Sequence, residues 1–331
     1  MVSHEKLEKG MLKQMELQQV FLPAEISEFE TPPTPTQLAK QVGLGFPMVI
    51  KKIDLPCFGK WNAAYLKEKL GENLVVSIAE TPLGNADSPL NTTDGSVFVK
   101  PHTAEMPFGE FVDSLQGSNS FDSHKPVRYL QNQDGCMATA YKILMEDLVD
   151  NFEWADEVLG VPELVNLWVG DTRTTSRLHC DSFENLYIQV RGIKKFYLIP
   201  PTEVYCLDEQ FLTSATYVPD GQGGYNVVND ENMPKTLFPT VNPADEKTHN
   251  PIYRKYCRPF VVELHEGEVL YIPSLWYHQV QIVETPEDDA NVSVNYWYPA
   301  NCAMPQYMKH DYLRYTSLML RGYQDENYES D

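Results

Sequence analysis

Apolar positions follow two rhythms along this chain. In the first third the spacing is helical in places. Leu7, Met11, Met15 and Leu17 give residues 4–20 a partial apolar stripe, and short helices are predicted over 36–42, 62–70 and 108–115. Thr31-Pro32-Pro33-Thr34-Pro35 is an extended breaker ahead of the first short helix. Buried strands are predicted at 46–50 and 74–79. From Val127 strands dominate: 127–131, 167–169, 178–190, 193–199, 260–264, 269–272, 278–283 and 292–298. Short strands with turn residues between them predict a barrel or jelly roll. The Gly-, Pro-, Asn- and Asp-rich stretch 220–250 is expected to be a long loop or insertion on its rim. Residues 303–320 return to helical spacing, with Met304, Tyr307, Met308, Tyr312, Tyr315 and Met319 near one face. Such a stripe is more often core, but near a chain end it can equally pack on a second subunit. The expected class is mainly β with flanking helices (α+β). Residues 1–125 would pack on a β domain of 126–302, followed by a helical 303–322 and an acidic tail 323–331, frayed from Gln324.

Charge and cysteine usage narrow the function classes. Lys and Arg total 26 against 47 Asp and Glu, a net charge of −21. Such a surface repels nucleic-acid phosphates and anionic lipid heads, so neither DNA nor a membrane is expected as a partner. The six cysteines are widely spaced without a C-x-x-C, which argues against a zinc ribbon or a disulfide scaffold. No apolar signal-like stretch opens the chain, and no apolar run is long enough to span a bilayer. A reduced compartment is expected, the cytoplasm by default with the nucleus left open. Neither a G-x-S-x-G elbow nor a phosphate-binding G-x-x-x-x-G-K-[ST] loop occurs.

The chemistry concentrates in His179-x-Asp181 and in His278, which closes the run Gly267-Glu268-Val269-Leu270-Tyr271-Ile272-Pro273-Ser274-Leu275-Trp276-Tyr277-His278. Two imidazoles and one carboxylate can occupy one face of an iron(II) ion and leave the opposite face open for O₂ and an oxidisable co-substrate. An H-x-D pair alone is weak, because a His–Asp pair is more commonly a structural hydrogen bond, and His278 alone reads as a core histidine. Strand parity adds to them. Residues two apart share a face, so His179, Asp181, Phe183, Asn185, Tyr187 and Gln189 point one way and Cys180 the other. Arg191-Gly192 fits a two-residue hairpin, which pairs Val190 with Ile193 and Gln189 with Lys194 and turns Lys194 into the same interior. A buried ammonium needs an anion. The far carboxylate of 2-oxoglutarate would supply it: Fe²⁺, Asp⁻, Lys⁺ and two carboxylates sum to zero charge.

These residues resemble the JmjC-domain 2-oxoglutarate oxygenases. Asp181-Ser182-Phe183-Glu184-Asn185-Leu186-Tyr187 and Val294-Asn295-Tyr296-Trp297-Tyr298 are most like its protein-hydroxylase branch, and the resemblance runs from about Pro32 to Tyr315. It implies a double-stranded β-helix, the cupin-like jelly roll, with N- and C-terminal helices outside. It implies iron(II) on His179, Asp181 and His278. Lys194 would hold the distal carboxylate of 2-oxoglutarate, with Tyr129, Ser176, Asn185 and Asn295 around it. Gln131, Tyr187 and Trp276 are expected to line the prime-substrate side. O₂ would be consumed, with release of succinate and CO₂. The resemblance is nearest to lysyl hydroxylases, which implies C3 hydroxylation, in the (3S) configuration, of a lysine in a developmentally regulated GTP-binding protein. It further implies a homodimer through the C-terminal helices. The competing readings are an N-methyl-lysine demethylase and a non-catalytic cupin-like binding protein.

Overall fold

The computed structural model describes residues 3–93, 95–115, 125–133, 135–245, 250–285, 290–300 and 304–323. The first third runs α1 (His4–Gln19), β1 (Ser27–Phe29), α2 (Pro35–Leu44), β2 (Met48–Ile50), α3 (Ala63–Leu70), β3 (Val75–Thr81), β4 (Ser88–Thr92), β5 (Gly95–Lys100), β6 (His102–Pro107), α4 (Phe108–Ser114) and β7 (Val127–Tyr129). Local chemistry sets several starts. Ser3, Thr34 and Asn62 accept the free N–H groups of α1, α2 and α3, and Thr34 forms a reciprocal capping box with Gln37. The remainder runs α5 (Glu153–Leu159), β8 (Leu164–Gly170), β9 (Thr175–His179), β10 (Phe183–Arg191), β11 (Ile193–Ile199), β12 (Glu209–Pro219), β13 (Tyr225–Asn229), β14 (Thr236–Pro239), α6 (Pro251–Tyr256), β15 (Phe260–Leu264), β16 (Val269–Ile272), β17 (Tyr277–Glu284), β18 (Asn291–Pro299) and α7 (Met304–Leu320).

Two sheets face each other, ordered β1-β2-β16-β10-β18-β8 and β15-β11-β17-β9. Consecutive strands alternate between them: β8, β10, β16 and β18 lie in the first, and β9, β11, β15 and β17 in the second. This is the double-stranded β-helix. Tyr187, Phe196, Leu198, Leu264, Val280 and Ile282 fill the space between the sheets. On the other side of β10, Leu186, Ile188 and Val190 join the core built with Leu38, Trp61, Phe108 and Phe152 from the outer segments. β10 is buried on both faces, so its polar residues Glu184, Asn185 and Gln189 are buried with the apolar ones.

Several expectations are corrected here. The stretch 178–190 is two strands, because the chain leaves β9 at His179 and enters the other sheet at Phe183. Arg191-Gly192 is not a hairpin. β10 pairs with β16 and β18, and β11 pairs with β15 and β17, so Gln189 lies opposite Ser293 and Lys194 lies opposite Leu264 and Ile282. The 220–250 stretch is largely ordered as β13 and β14 pairing with β12. Glu246 to His249 within it lie outside the described residues. The N-terminal region does more than pack on the barrel: β2 pairs with β16 at the edge of the first sheet, and β5 pairs parallel with β12. The apolar stripe of α7 is not core. Met304, Met308, Tyr312 and Met319 are exposed, and His310, Ser317, Leu318 and Leu320 face inward. Tyr323 packs on Phe211, and the acidic tail from Gln324 lies outside the described residues.

Gly192 makes the sheet-to-sheet crossing possible. Its φ is +80°, and a Cβ there would lie 2.6 Å from the Glu284 carbonyl oxygen and 2.5 Å from Asn291 Nδ2. That amide group ties the crossing together by donating to the carbonyls of Ile193 and Glu284. Gly192→Ala is expected to cost about 3 kcal/mol, from left-handed strain plus the displaced Asn291 hydrogen bonds. Gly59→Ala, at φ +70° with open space around it, should cost only the roughly 1 kcal/mol of strain. Thermal or denaturant unfolding of the two variants side by side checks this; equal losses would remove the steric argument.

Candidate metal centre

His179 closes β9 and His278 is the second residue of β17, and the register sets them directly opposite each other. Their ring centroids lie 4.3 Å apart. Asp181 is on the connector that carries the chain from one sheet to the other, so backbone crossing rather than strand parity brings its carboxylate to the same point. One ligand atom from each of the three residues lies within 4.8 Å of the others. The Asp181 oxygens are 3.8 Å from His179 Nε2 and 3.5 Å from His278 Nε2. Each imidazole is oriented by backbone. His179 Nδ1 lies 2.7 Å from the Arg177 carbonyl and His278 Nδ1 lies 2.9 Å from the Trp276 carbonyl. A carbonyl only accepts, so each Nδ1 carries a proton and each Nε2 faces the common point, where a metal would take its lone pair.

The charges interlock. Burial opposes ionisation of Asp181, but the neighbouring His179 and the hydrogen bond from His278 outweigh it and hold the carboxyl at about 2. Burial, reinforced by His278, lowers the His179 pKa below the ordinary histidine value. Burial also pulls His278 down, yet its bond to Asp181 leaves it raised.

The connector is braced from two sides. The Leu275 N–H donates to the Asp181 carbonyl at 2.8 Å, from a residue held at φ +66°. A non-glycine residue occupies that region at a cost, and here the bond to the connector goes with it. From α7, the Tyr307 hydroxyl donates to the Ser182 carbonyl at 2.6 Å. The same helix reaches the other ligand strand. Arg314 forks onto buried Glu209 at 2.8 and 3.0 Å, and Glu209 accepts from Tyr277, the neighbour of His278. His310 Nε2 lies 3.0 Å from the same Tyr277 hydroxyl.

Lys194 is fully buried between the sheets. Its Nζ donates to Ser293 Oγ at 2.7 Å, Tyr187 Oη at 2.8 Å and Tyr129 Oη at 3.3 Å. Three hydroxyls satisfy three N–H groups, but none neutralises the charge, and burial pulls the Lys194 pKa well below the ordinary lysine value.

A small cavity runs from the metal ligands to Tyr129 and Tyr187, the partners of Lys194. It is lined by His179, Asp181 and His278 together with Tyr129, Ser176, Asn185, Tyr187 and Asn295, and by Gln133, Trp168, Val280 and Trp297. Ser176 lines the cavity with Tyr129. Trp168 Nε1 donates to Asn295 Oδ1 at 2.9 Å, and Asn295 Nδ2 donates to Asn185 Oδ1 at 3.1 Å, which fixes both amides. Two expected substrate-side residues sit elsewhere. Trp276 is turned away: its indole donates to the Gly45 carbonyl at 2.8 Å and its ring packs edge-on against Phe46. It belongs to the turn before β17, where strand parity does not apply. Gln131 is not on the cavity wall, which Gln133 occupies, and its amide donates to Asp87. Tyr187 lies at the Lys194 end rather than on the substrate side. Ser293 was missed. Its signal was the polar alternation Asn291, Ser293, Asn295 in an otherwise apolar strand.

Residues 33–304 match the family model described as a cupin-like domain. The chain is 33% identical over 297 residues to the Lysine-specific demethylase JMJ32 of Arabidopsis thaliana, covering 86% of this chain and 84% of that protein. It is 31% identical over 282 residues to the Bifunctional peptidase and (3S)-lysyl hydroxylase JMJD7 of Homo sapiens, covering 84% and 85%. It is 26% identical over 338 residues to JmjC domain-containing protein E of Dictyostelium discoideum, covering 94% of each. The chain belongs to the cupin-like JmjC oxygenases.

The residues present fit the two groups that JmjC oxygenases use, iron(II) and 2-oxoglutarate. The donor set is two imidazole nitrogens and one ionised carboxylate, converged on a single point. The co-substrate's distal carboxylate would meet the buried Lys194 amine, whose charged form an anion stabilises, and hydroxyls and amides line the space between.

Proposed function

We propose that this JmjC oxygenase is an Fe(II)- and 2-oxoglutarate-dependent protein hydroxylase that acts on C3 of a lysyl side chain. The observation that supports it is the pairing of the His179–Asp181–His278 cluster with a buried lysine that lacks a counter-charge. When bound, iron with 2-oxoglutarate and O₂ supplies an oxidative decarboxylation, to succinate and CO₂, coupled to insertion of one oxygen atom into a C–H bond. The chain's own residues place and protect that chemistry. His179, Asp181 and His278 hold the metal on one face. Lys194, Ser293, Tyr187 and Tyr129 bind the far carboxylate and set the co-substrate's direction. Asn185 and Asn295, locked by Trp168, present amides along its length. Trp168, Trp297 and Val280 displace water from the reacting atoms.

Lysyl hydroxylation is supported by the 31% identity to the human lysyl hydroxylase, and the proposed substrate is a developmentally regulated GTP-binding protein. The 33% identity to the Arabidopsis demethylase supports the second reading, removal of an N-methyl group as formaldehyde. The two separate in one assay. Protein, iron(II), 2-oxoglutarate and O₂ are incubated with lysine-bearing GTPase peptides and with methylated histone-tail peptides. Gain of one oxygen without formaldehyde supports the hydroxylase. Loss of a methyl group with formaldehyde replaces it by the demethylase. Absence of any succinate leaves a binding protein.

We further propose that the chain forms a homodimer through α7. Met308 and Tyr312 are 69% and 70% exposed on one helix face, together with Met304 and Met319, which is unusual for large apolar side chains without a partner. Met308→Glu combined with Tyr312→Glu is expected to convert the dimer to monomer by light scattering after gel filtration, with the melting temperature little changed. A wild-type protein that is monomeric at micromolar concentration would defeat the idea.

A further inference from the structure

A lysine delivered to the metal centre carries an ammonium that must leave water, and its cost is recovered only against an acceptor of opposite charge. Carboxylates on the elements around the cavity are mostly taken. Glu80 accepts from Arg128 at 2.8 Å, Asp171 from Arg173 at 2.6 Å, and Asp230 pairs with Lys100 at 2.9 Å. Asp87 differs. Among the described residues it makes no ion pair, and its carboxylate takes one side-chain hydrogen bond, from Gln131 Nε2 at 3.1 Å.

Its position is built rather than incidental. Gln131 lies between Tyr129 and Gln133, both on the cavity wall. The 84–88 segment is pinned at several points. Gly84 N–H donates to Thr81 Oγ1 at 2.9 Å, and Asn85 and Ser88 bond each other. The Gly84 carbonyl accepts from Thr175 N–H at 2.9 Å, at the start of the strand that carries Ser176 and His179. Ala86 packs into the cluster that holds Tyr129 and Trp168. Asp87 itself has φ +51°, a left-handed conformation that aspartate adopts more readily than most side chains. Burial pushes its carboxyl above the usual range, with the Gln131 bond and Lys100 acting against it. A fixed, half-buried carboxylate, held by the segment that carries Tyr129 and Gln133 of the cavity wall, makes no ion pair among the described residues.

We propose that Asp87, aimed by Gln131, receives the ammonium of the target lysine and so makes the site selective for a cationic side chain. This deepens the lysyl-hydroxylase reading and rests on it. The test uses a GTPase-derived peptide with a single lysine and its norleucine counterpart, the same chain length without the amine. Peptide binding is titrated on protein loaded with Mn(II) and N-oxalylglycine, and KM and kcat are measured on the iron-loaded protein. Asp87→Asn is expected to weaken binding of the lysyl peptide, and to raise its KM, about 30-fold or more. Titrated 2-oxoglutarate affinity should hold, the norleucine peptide should bind the two proteins alike, and Asp87→Glu should restore part of the loss. Equal affinity of wild type and Asp87→Asn for the lysyl peptide, or a loss that falls on 2-oxoglutarate, overturns the proposal. If the lysyl peptide binds but is not oxidised, the hydroxylase reading fails and the binding comparison still decides the role of Asp87. If it does not bind to wild type at all, both fall.

Discussion

His278→Ala should lose both metal and turnover, with activity falling on the order of a thousandfold or more. Loss of an outer hydrogen-bond partner in a metal site already costs roughly 10–100-fold in affinity or activity, and this substitution removes a ligand. It leaves Asp181 with one imidazole neighbour where two now hold it ionised. No other side chain stands ready to substitute, because among the described residues these three form the cluster of potential metal-ligating groups. Cobalt(II) titration followed by visible absorption reads the coordination directly, and a melting curve shows whether the variant folds. A folded His278→Ala protein that binds cobalt like wild type would refute the ligand assignment. The orienting partners are main-chain carbonyls, so no single side-chain substitution outside the triad is expected to mimic the effect by removing an acceptor.

Lys194→Ala should raise the KM for 2-oxoglutarate by about 30-fold or more, since truncating one member of a buried, hydrogen-bonded charge pair costs roughly 2–5 kcal/mol. Ser293, Tyr187 and Tyr129 would still offer hydroxyl donors, so binding weakens without vanishing. Lys194→Met, which keeps most of the volume, separates charge from packing: it should show the same loss while melting closer to wild type. The titration of Lys194 adds a pH signature. Burial lowers its pKa in the free protein, and a bound carboxylate raises it again, so co-substrate binding takes up a proton. Affinity for 2-oxoglutarate is then strongest on the acid side and weakens as pH rises past the depressed lysine value. Calorimetry in buffers of different ionisation enthalpy counts that proton. Unchanged KM in Lys194→Ala would break the electrostatic account.

The site was more legible than the fold around it, for identifiable reasons. His179, Asp181, His278 and Lys194 are each costly in an apolar strand environment, and it was their conjunction that marked the interior. The route to Lys194 was nonetheless mistaken. A glycine link that crosses between sheets carries the same left-handed signal as a hairpin turn, and no local pattern tells whether the next strand folds back or crosses over. Strands β5 and β12 escaped notice because they pair non-locally, with Val97 meeting Thr213 across more than a hundred residues; β4 pairs locally with β5, but Ser88–Thr92 contains a proline and an asparagine that read as turn. Trp276 precedes β17 in a turn, so its nearness to His278 in the sequence does not bring it to the cavity wall. The outward face of α7 was ambiguous because helical spacing shows that a stripe exists without showing which way it faces.

The C-terminal helix has one surface turned to solvent and another fastened to the two segments that carry Asp181 and His278. Whatever seats on the outer surface acts on a lever whose inner arm ends beside the His179–Asp181–His278 cluster. If the proposed dimer forms there, subunit association and metal retention would be thermodynamically reciprocal: a dimer that steadies the helix would tighten the metal, and a bound metal would tighten the dimer.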